Sequence, residues 1–300
     1  MFHCCGSIIQ HLKLDGNLSV SLTFPVRRGK IASDMPSAQS NSISASAKTV
    51  VVIPTYNEAE NLPALIAELR ALAVPDLSVL IVDDNSPDGT GRVADTLAER
   101  LPGTITVRHR AAKEGLGRAY IDGFSQALAM GADFILQMDA DFSHPLSAIP
   151  TMLNTVADYD VVVGSRYISG GQLDEHWSWW RRFLSWWANE VWSRKLLGLK
   201  AHDITAGFKC WRRATLLGIG LERVISNGYA FQVEMAYLTE RLDYPVKEIP
   251  IYFEDRRIGK SKMSVPVKFQ GAVDVIRIWY RHRHTERMAP SDHSFPGQSQ

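Results

Sequence analysis

Two carboxylates, one residue apart, follow a short apolar stretch near the middle of the chain. Residues 134–138 (FILQM) have the composition of a strand, and Asp139, Ala140 and Asp141 come directly after it. Carboxylates at strand ends in an α/β sheet lie at the edge where ligands bind. Because Mg²⁺ is usually bound through one or two carboxylates plus phosphates, the pair predicts a metal–diphosphate site. Taken alone, the same residues also fit the start of a polar surface loop.

The composition excludes several classes of protein. Hydrophobic residues make up 45% of the chain and charged residues 22%, which is typical of a globular protein with a buried core. The formal net charge of +1 gives no overall attraction to nucleic acid, so we expect no nucleic-acid partner. The three cysteines match neither a disulfide framework nor a zinc site, which favours a reducing, cytoplasmic setting. No stretch reaches the roughly 18 apolar residues of a spanning helix, and we expect no signal peptide.

Strands and helices alternate along the chain after its first 48 residues. Residues 49–54 (TVVVIP) are a β-branched run of the kind that is buried on both faces of a sheet, and helical spacing follows. The alternation continues through strands at 79–83, 104–109 and 134–138, with a helix at 116–130. It predicts an α/β fold with a mostly parallel central sheet flanked by helices.

The chain divides by composition into four segments. Residues 1–48 end in a stretch rich in Ser, Ala, Asn and Gln, which predicts a flexible N-terminal arm. We expect one α/β domain over residues 49–265 and an amphipathic C-terminal helix over residues 266–288. Residues 289–300 are polar and predict a disordered tail.

Three polar loops follow predicted parallel strands, at 54–58 (PTYNE), 83–86 (DDNS) and 139–141 (DAD). Because the carboxyl ends of parallel strands meet at one edge, we expect these loops to form a single ligand-binding crevice. Neither a dinucleotide-binding glycine motif nor a P-loop follows Ile53. The charge of a bound diphosphate must then be met by a cation held on the acidic pair.

Side chains of the first two loops suit a nucleoside. The carboxylates of Glu58 and Asp84 can accept hydrogen bonds from ribose hydroxyls and from the N–H edge of a base such as guanine. The ring of Tyr56 can pack against the base. These residues therefore predict the nucleoside end of the crevice.

Cations in the second half of the chain suit phosphate. Arg166 follows a predicted strand at 159–164, and residues 255–262 (DRRIGKSK) carry four cations around a glycine. The guanidinium group offers a planar fork of donors for phosphate oxygens. A surface salt bridge for Arg166 and a solvated segment at 255–262 are open alternatives at this point.

Six of the eight tryptophans lie within residues 177–192, among basic residues. On a helix, one face would carry Trp180, Phe183, Leu184, Trp187 and Val191. Aromatic residues flanked by cations are typical of a helix that lies in the membrane interface. Residues 268–283 predict a second such helix, and a bulky core helix is the alternative for the tryptophan-rich segment.

Seven motifs follow one another along the chain: PTYNE at 54–58, DDNSPDGT at 83–90, GLGRAY at 115–120, DADFSHP at 139–145, GSRY at 164–167, DITAGF at 203–208 and RRIGKSK at 256–262. In this order they resemble the dolichyl- and polyprenol-phosphate mannose synthases, inverting glycosyltransferases of family 2. The resemblance implies a GT-A (Rossmann-like) fold. It also implies transfer of mannose from GDP-mannose to a polyprenyl (dolichyl-type) phosphate, with Mg²⁺ or Mn²⁺ as cofactor.

The resemblance implies roles for individual residues. The guanosine would lie against Pro54, Tyr56, Glu58, Val82 and Asp84. The diphosphate would lie at Asp139, Ala140 and Asp141, with the metal on Asp139 and Asp141 and with Ser143 as a further candidate ligand. Phosphate of the donor or acceptor would be bound by Arg166, Arg256 and Lys262, which together with Asp141 form the predicted catalytic set.

Members of that family reach the membrane in different ways, through their own C-terminal membrane helices or through separate membrane subunits. This sequence has no candidate spanning segment, so the resemblance implies a peripheral protein at the cytoplasmic face of the membrane. We expect it to bind there through its amphipathic segments, through an integral-membrane partner protein, or through both.

The acceptor determines the expected mechanism. A phosphate monoester has a second pKa near ~6 and is already a nucleophile at neutral pH, so no general base is required. We expect in-line attack on the anomeric carbon with inversion, while the metal neutralises the departing GDP. Three alternatives remain: the same reaction with another nucleotide sugar such as UDP-glucose, a sugar nucleotidyltransferase, and a catalytically inactive membrane-binding scaffold.

Overall fold

The computed structural model describes residues 8–14, 18–24, 47–174, 179–254 and 265–288. The chain forms two compact units, Met1–Ser40 and Asn41–Gln300.

The described part of the first unit is an antiparallel hairpin of strands β1 (Ile8–Leu14) and β2 (Leu18–Phe24), with Ile8 opposite Phe24. This hairpin was not foreseen in the flexible arm predicted for residues 1–48. Its second strand has the period-two pattern of a strand, since Leu18, Val20, Leu22 and Phe24 alternate with small polar residues.

The second unit is built on a seven-stranded sheet. Its strands are β3 (Thr49–Thr55), β4 (Leu77–Asp83), β5 (Ile105–His109), β6 (Phe134–Gln137), β7 (Val161–Ser165), β9 (Lys209–Arg212) and β10 (Val246–Pro250). A separate parallel pair consists of β8 (Gln172–Leu173) and β11 (Tyr252–Phe253).

The strands of the large sheet lie in the order β10-β7-β9-β6-β3-β4-β5. Neighbouring strands are parallel except where β9 pairs antiparallel with both β6 and β7. This confirms the predicted mostly parallel sheet. The antiparallel strand β9 was not foreseen, because its four residues begin with a lysine, end with an arginine and contain only two apolar residues, Cys210 and Trp211.

Helices connect the strands and cover both faces of the sheet. They are α1 (Leu62–Ala71), α2 (Thr90–Arg100), α3 (Leu116–Ala129), α4 (Ile149–Val156), α5 (Trp179–Trp186), α6 (Lys195–Leu197), α7 (Arg213–Ile219), α8 (Gly228–Arg241) and α9 (Val265–His282). A π-helical segment, Trp187–Arg194, follows α5 directly.

The two faces of the sheet belong to two different hydrophobic clusters. On β3, Val51 and Ile53 pack with residues of α1 and α4, whereas Val50 and Val52 pack with residues of α3 and α8. All of these valines and Ile53 are fully buried, as the continuous apolar run predicts. Helix α3 lies so close to β3 that a Cβ on Gly123 would come within 2.4 Å of Val52 Cγ1.

The tryptophan-rich segment exposes its aromatic side chains. Trp179 is 74% exposed, and Trp180, Phe183, Trp186 and Trp187 are also exposed. Their spacing of i, i+1, i+4, i+7 and i+8 places them on one face of the helix. This excludes the alternative of a bulky core helix for these five residues. Three of these residues, Trp180, Phe183 and Trp187, belong to the predicted face. The side chains of its other two members, Leu184 and Val191, lie outside the described residues.

Helix α9 has the amphipathic character that the sequence predicts. Val275 and Ile278 are buried in a third hydrophobic cluster that also contains residues of α8, while Ile276, Trp279 and Tyr280 are exposed. Among the described residues, no helix combines the length and the apolar character needed to cross a bilayer.

Candidate active site

The three predicted loops lie at the carboxyl edge of neighbouring strands. Pro54 is opposite Val82 and Thr55 is opposite Asp83, so β3 and β4 end side by side. Strand β6 pairs with the other side of β3, which brings the acidic pair to the same edge. The structure therefore places the predicted guanosine and diphosphate residues along one rim, as the strand-end argument requires.

Side chains of the β4–α2 loop hold the backbone of the β3–α1 loop. Ser86 Oγ accepts a hydrogen bond from the Asn57 N–H at 3.1 Å, and Thr90 Oγ1 accepts one from the Glu58 N–H at 2.9 Å. Asp88 accepts a third, from Ala59, at 3.2 Å. The two loops thus form one unit, and their positions on the rim are coupled.

In the first two loops, and directly after residues 139–141, a residue other than glycine adopts the left-handed backbone region. These are Asn57 with φ 62°, Asn85 with φ 57° and Phe142 with φ 61°. Asn tolerates this conformation, but it is unfavourable for a bulky residue such as Phe. Phe142 lies between Asp141 and Ser143 in residues 139–145, here called the acidic loop, so this loop stores backbone strain at Phe142.

Asp84 is buried and already holds several donors. Arg110 donates a hydrogen bond to its carboxylate, and the backbone N–H groups of Glu114 and Gly115 lie 3.4 and 3.2 Å from it. The predicted role of Asp84 in binding the nucleoside stays a prediction. In this structure its carboxylate also orders residues 110–115, the connection that leads into α3.

Tyr56 and Glu58, which are also predicted nucleoside residues, have partners in the protein as well. The ammonium group of Lys113 lies 3.5 Å from the centre of the Tyr56 ring, which is a cation–π contact. The carboxylate of Glu58 accepts a hydrogen bond from Asn61 at 2.8 Å. A base stacked on Tyr56 would therefore share the ring with Lys113 or displace it.

The two carboxylates of the acidic pair are oriented by different neighbours. Asp141 Oδ1 accepts hydrogen bonds from the hydroxyl of Ser143 at 2.6 Å and from its backbone N–H at 3.1 Å. Asp139 Oδ1 accepts a hydrogen bond from the hydroxyl of Tyr120 at 2.7 Å. Asp141 and Ser143 are both buried, so neither is an ordinary surface residue.

The side chain of His144 binds the backbone of the acidic loop. Its Nδ1 accepts a hydrogen bond from the Asp139 backbone N–H at 3.1 Å, which leaves the ring proton on Nε2. The ring stacks on Phe208 with 5.1 Å between centroids. Burial lowers the pKa of His144, and the charges of Asp139 and Asp141 offset only part of that shift. The imidazole is therefore neutral at pH 7 and acts as a structural acceptor.

The oxygen donors of the acidic loop fit a hard divalent cation. Asp139, Asp141 and the hydroxyl of Ser143 offer two carboxylates and one neutral oxygen, which suits Mg²⁺ or Mn²⁺. The described residues contain no group of three or more His, Cys, Asp or Glu side chains that could hold a metal. Such an ion would thus need oxygens from a bound diphosphate or from water to complete its shell.

Arg166 is paired within the protein. Its side chain is 10% exposed and forms a two-pronged ion pair with Asp203, whose side chain is 0% exposed. Burial alone would lower the pKa of Arg166, but the charge and hydrogen bonds of Asp203 outweigh it and raise that pKa. Because the side chain of Arg166 is largely buried and that of Asp203 is fully buried, the alternative of a surface salt bridge for Arg166 is excluded. The role of Arg166 in binding phosphate stays a prediction. Arg256 and Lys262 lie outside the described residues.

Several residues that the structure brings to the site were not predicted from the sequence. Asp203, Tyr120 and His144 were seen only as letters of longer motifs, although each contacts a predicted site residue or its loop. Lys209 was also missed: it lies opposite Gln137, in register on the neighbouring strand, and is fully buried. A lysine inside an apolar run was the one signal in the sequence that could have drawn attention to it.

The chain is similar in sequence to known proteins. Residues 50–215 match the model for Glycosyl transferase family 2. An undecaprenyl-phosphate mannosyltransferase from Micrococcus luteus is 45% identical over 230 residues, which are 77% of this chain and 93% of the relative. A polyprenol monophosphomannose synthase from Mycolicibacterium smegmatis is 45% identical over 218 residues, 72% of this chain and 81% of the relative.

Solved structures share the fold at low sequence identity. Glucosyl-3-phosphoglycerate synthase from Mycobacterium tuberculosis, in complex with Mn²⁺, UDP and glucosyl-3-phosphoglycerate, superposes with a TM-score of 0.56 and 16% identity, over 79% of this chain and 80% of that one. A mannosyltransferase from Pyrobaculum calidifontis with GDP-Man and Mn²⁺ gives 0.54 and 17%, over 79% of this chain and 66% of that one. With more than half of its length matched by the family model, the chain belongs to glycosyl transferase family 2.

Proposed function

We propose that the protein transfers mannose from GDP-mannose to a polyprenyl phosphate, with inversion at the anomeric carbon. The observation that carries the proposal is the rim itself, where the acidic loop after β6 lies beside the strand ends of β3 and β4. The two 45% identical relatives are named as enzymes that mannosylate a lipid phosphate, which supports the same donor and acceptor here.

The donor nucleotide would bind along the first two loops. Pro54 and Val82 are register neighbours at the ends of β3 and β4, and Tyr56 offers a ring face for the base. Asp84 and Glu58 supply acceptors for ribose hydroxyls and base N–H groups. Because the two loops are hydrogen-bonded to each other, we expect the nucleoside pocket to be preformed.

The diphosphate would lie at the acidic loop, where Asp139 and Asp141 would hold a divalent cation and Ser143 is a further oxygen donor. When bound, Mg²⁺ or Mn²⁺ supplies positive charge that stabilises the departing diphosphate. The protein's contribution is to keep both carboxylates in place, through Tyr120 on Asp139 and through Ser143 on Asp141.

The lipid phosphate would act as the nucleophile without a general base. One of its oxygens forms a bond to the anomeric carbon while the bond from that carbon to GDP breaks. The oxygen carries no proton that must be removed at neutral pH. Arg166, fixed in orientation by Asp203, would place positive charge near the reacting phosphates, together with Arg256 and Lys262.

The exposed aromatic face of α5 supports peripheral binding to a membrane. Large aromatic side chains in contact with water are unfavourable in a globular protein, and a lipid interface accepts them at headgroup depth. Helix α9 carries three further exposed apolar residues near its basic end. A cytoplasmic-face location and an integral-membrane partner remain part of this proposal.

An assay with labelled GDP-mannose and polyprenyl phosphate tests the function directly. We expect mannose to appear in the organic phase only when the donor, the lipid phosphate and a divalent cation are all present. UDP-glucose in place of GDP-mannose should give less than about a tenth of that signal. Equal transfer from UDP-glucose would assign the other donor, and no transfer from either donor would refute the proposal.

A further inference from the structure

A network of buried side chains lies directly beneath the acidic loop. Tyr120 on α3 is 0% exposed, and its hydroxyl oxygen lies 2.7 Å from Asp139 Oδ1. The side chain of Gln137, two residues before Asp139, also hydrogen-bonds the phenol. Gln137 in turn contacts Trp211 on β9 and Gln232 on α8.

The chemistry of these groups fixes the direction of every hydrogen bond in the network. The indole N–H of Trp211 can only donate, so the group that faces it at 3.1 Å must be the carbonyl oxygen of Gln137. The amide NH₂ of Gln137 then faces the other way, and one of its protons goes to Gln232 at 2.9 Å. Its second proton is available for the phenol oxygen of Tyr120.

Tyr120 therefore receives a hydrogen bond from Gln137 and gives its single proton to Asp139. The Asp139 carboxylate can only accept, so the proton in this 2.7 Å contact belongs to the phenol of Tyr120. The ring cannot turn away, because it is stacked on Phe231 with 5.6 Å between centroids and an interplanar angle of 7°. Phe124 packs against the same ring at 5.7 Å.

We propose that Tyr120 is the positioning residue of the metal site, since its hydroxyl holds the Asp139 carboxylate in the orientation that binds the cation. The inference rests on the proposed function in one respect, the assignment of Asp139 as a metal ligand. Hydrogen bonds to a ligating carboxylate typically change metal affinity by about ten- to a hundredfold. In the sequence Tyr120 is the last residue of the motif GLGRAY, and its role at the metal site follows from its contacts in the structure.

The test is the binding of Mn²⁺ to protein and GDP, followed by the electron paramagnetic resonance signal of free Mn²⁺. The variant Tyr120→Phe keeps the ring and removes only the hydroxyl, and we expect its Kd for Mn²⁺ to rise at least about tenfold. Its affinity for GDP without metal, measured by calorimetry, should stay unchanged. The variant Phe231→Leu loosens the same aromatic stack but leaves the hydroxyl, so it controls for packing.

Each outcome separates the inference from the proposed function. If the unaltered protein with GDP binds no Mn²⁺, the metal assignment fails. If it binds Mn²⁺ and Tyr120→Phe binds it equally well, the positioning role fails. An equal loss in Phe231→Leu would mean that packing is responsible, which also overturns the inference. Should Tyr120→Phe not fold, Gln137→Leu removes the group that orients the phenol, and unchanged Mn²⁺ affinity there counts against the proposal.

Discussion

Asp203 binds Arg166 at three points. Its Oδ2 accepts hydrogen bonds from the Nε and the backbone N–H of Arg166 at 2.8 and 2.9 Å, and its Oδ1 accepts one from Nη2 at 2.7 Å. The guanidinium is thus locked in one orientation with most of its charge compensated. Any phosphate that approaches it meets a rigid, partly neutralised cation rather than a mobile one.

Replacement of Asp203 by Ala should strongly destabilise the protein. It leaves the charge of Arg166 buried without its partner, and breaking a buried pair in this way costs about 3–5 kcal/mol. Urea unfolding measures the loss. The control Asp95→Ala removes the carboxylate of a half-exposed pair with His109 and should cost less than about 1 kcal/mol. Similar losses in both variants would contradict the importance of the buried pair.

Lys209 should make the stability of the protein depend on pH in the alkaline range. Burial lowers the pKa of Lys209 to about 7, whereas an unfolded lysine has a pKa of about 10.4. Between these values the unfolded chain binds the proton and the folded chain does not, so stability rises with pH through this window. The unfolding free energy of the unaltered protein should therefore increase from pH 7 to about 10 relative to Lys209→Met.

The measurement is chemical unfolding at several pH values for both proteins. Lys200→Met, which removes an exposed amine, controls for the loss of one positive charge. If the difference in unfolding free energy between the unaltered protein and Lys209→Met stays constant with pH, the buried amine of Lys209 keeps its proton in the folded protein.

Removal of either metal carboxylate should abolish mannosyl transfer. We expect Asp141→Ala and Asp139→Ala each to reduce turnover by at least about a thousandfold, because charge on the departing diphosphate is then uncompensated. Chelation of divalent cations should have the same effect and be reversed by added Mg²⁺. Asp158→Ala, which removes an exposed carboxylate outside the three loops, is the control and should retain most of its turnover. Normal activity of Asp141→Ala would refute the metal site.

The aromatic face of α5 should determine membrane binding. The double variant Trp179→Ala, Trp180→Ala removes two side chains that are 74% and 52% exposed, so folding should be little affected. We expect its affinity for vesicles containing anionic lipid to fall at least about tenfold in a sedimentation assay, because apolar area no longer enters the interface. Ile225→Ala removes an exposed apolar residue outside this face and should bind as the unaltered protein does.

The sequence predicted the sheet and the rim but not the contacts within the rim. Strands such as β3 are signalled by continuous β-branched runs, and the loop positions follow from the parallel order. The pairing of Arg166 with Asp203 joins residues 37 positions apart and has no local signal. The same holds for Tyr120 and Asp139, which meet only because α3 packs tightly on the sheet at Gly123. Long-range pairs of this kind depend on packing, which a periodic pattern does not encode.

The π-helical segment Trp187–Arg194 joins α5 to α6; it begins with the exposed Trp187 and contains the buried residues Asn189 and Ser193. Wider i→i+5 turns fit more residues into each turn than an α-helix does. Because each residue of such a wider turn advances the helix by a smaller angle, adding or removing a residue there changes the rotation between α5 and α6. The number of residues in this segment, more than their identity, therefore sets the direction in which the aromatic face points.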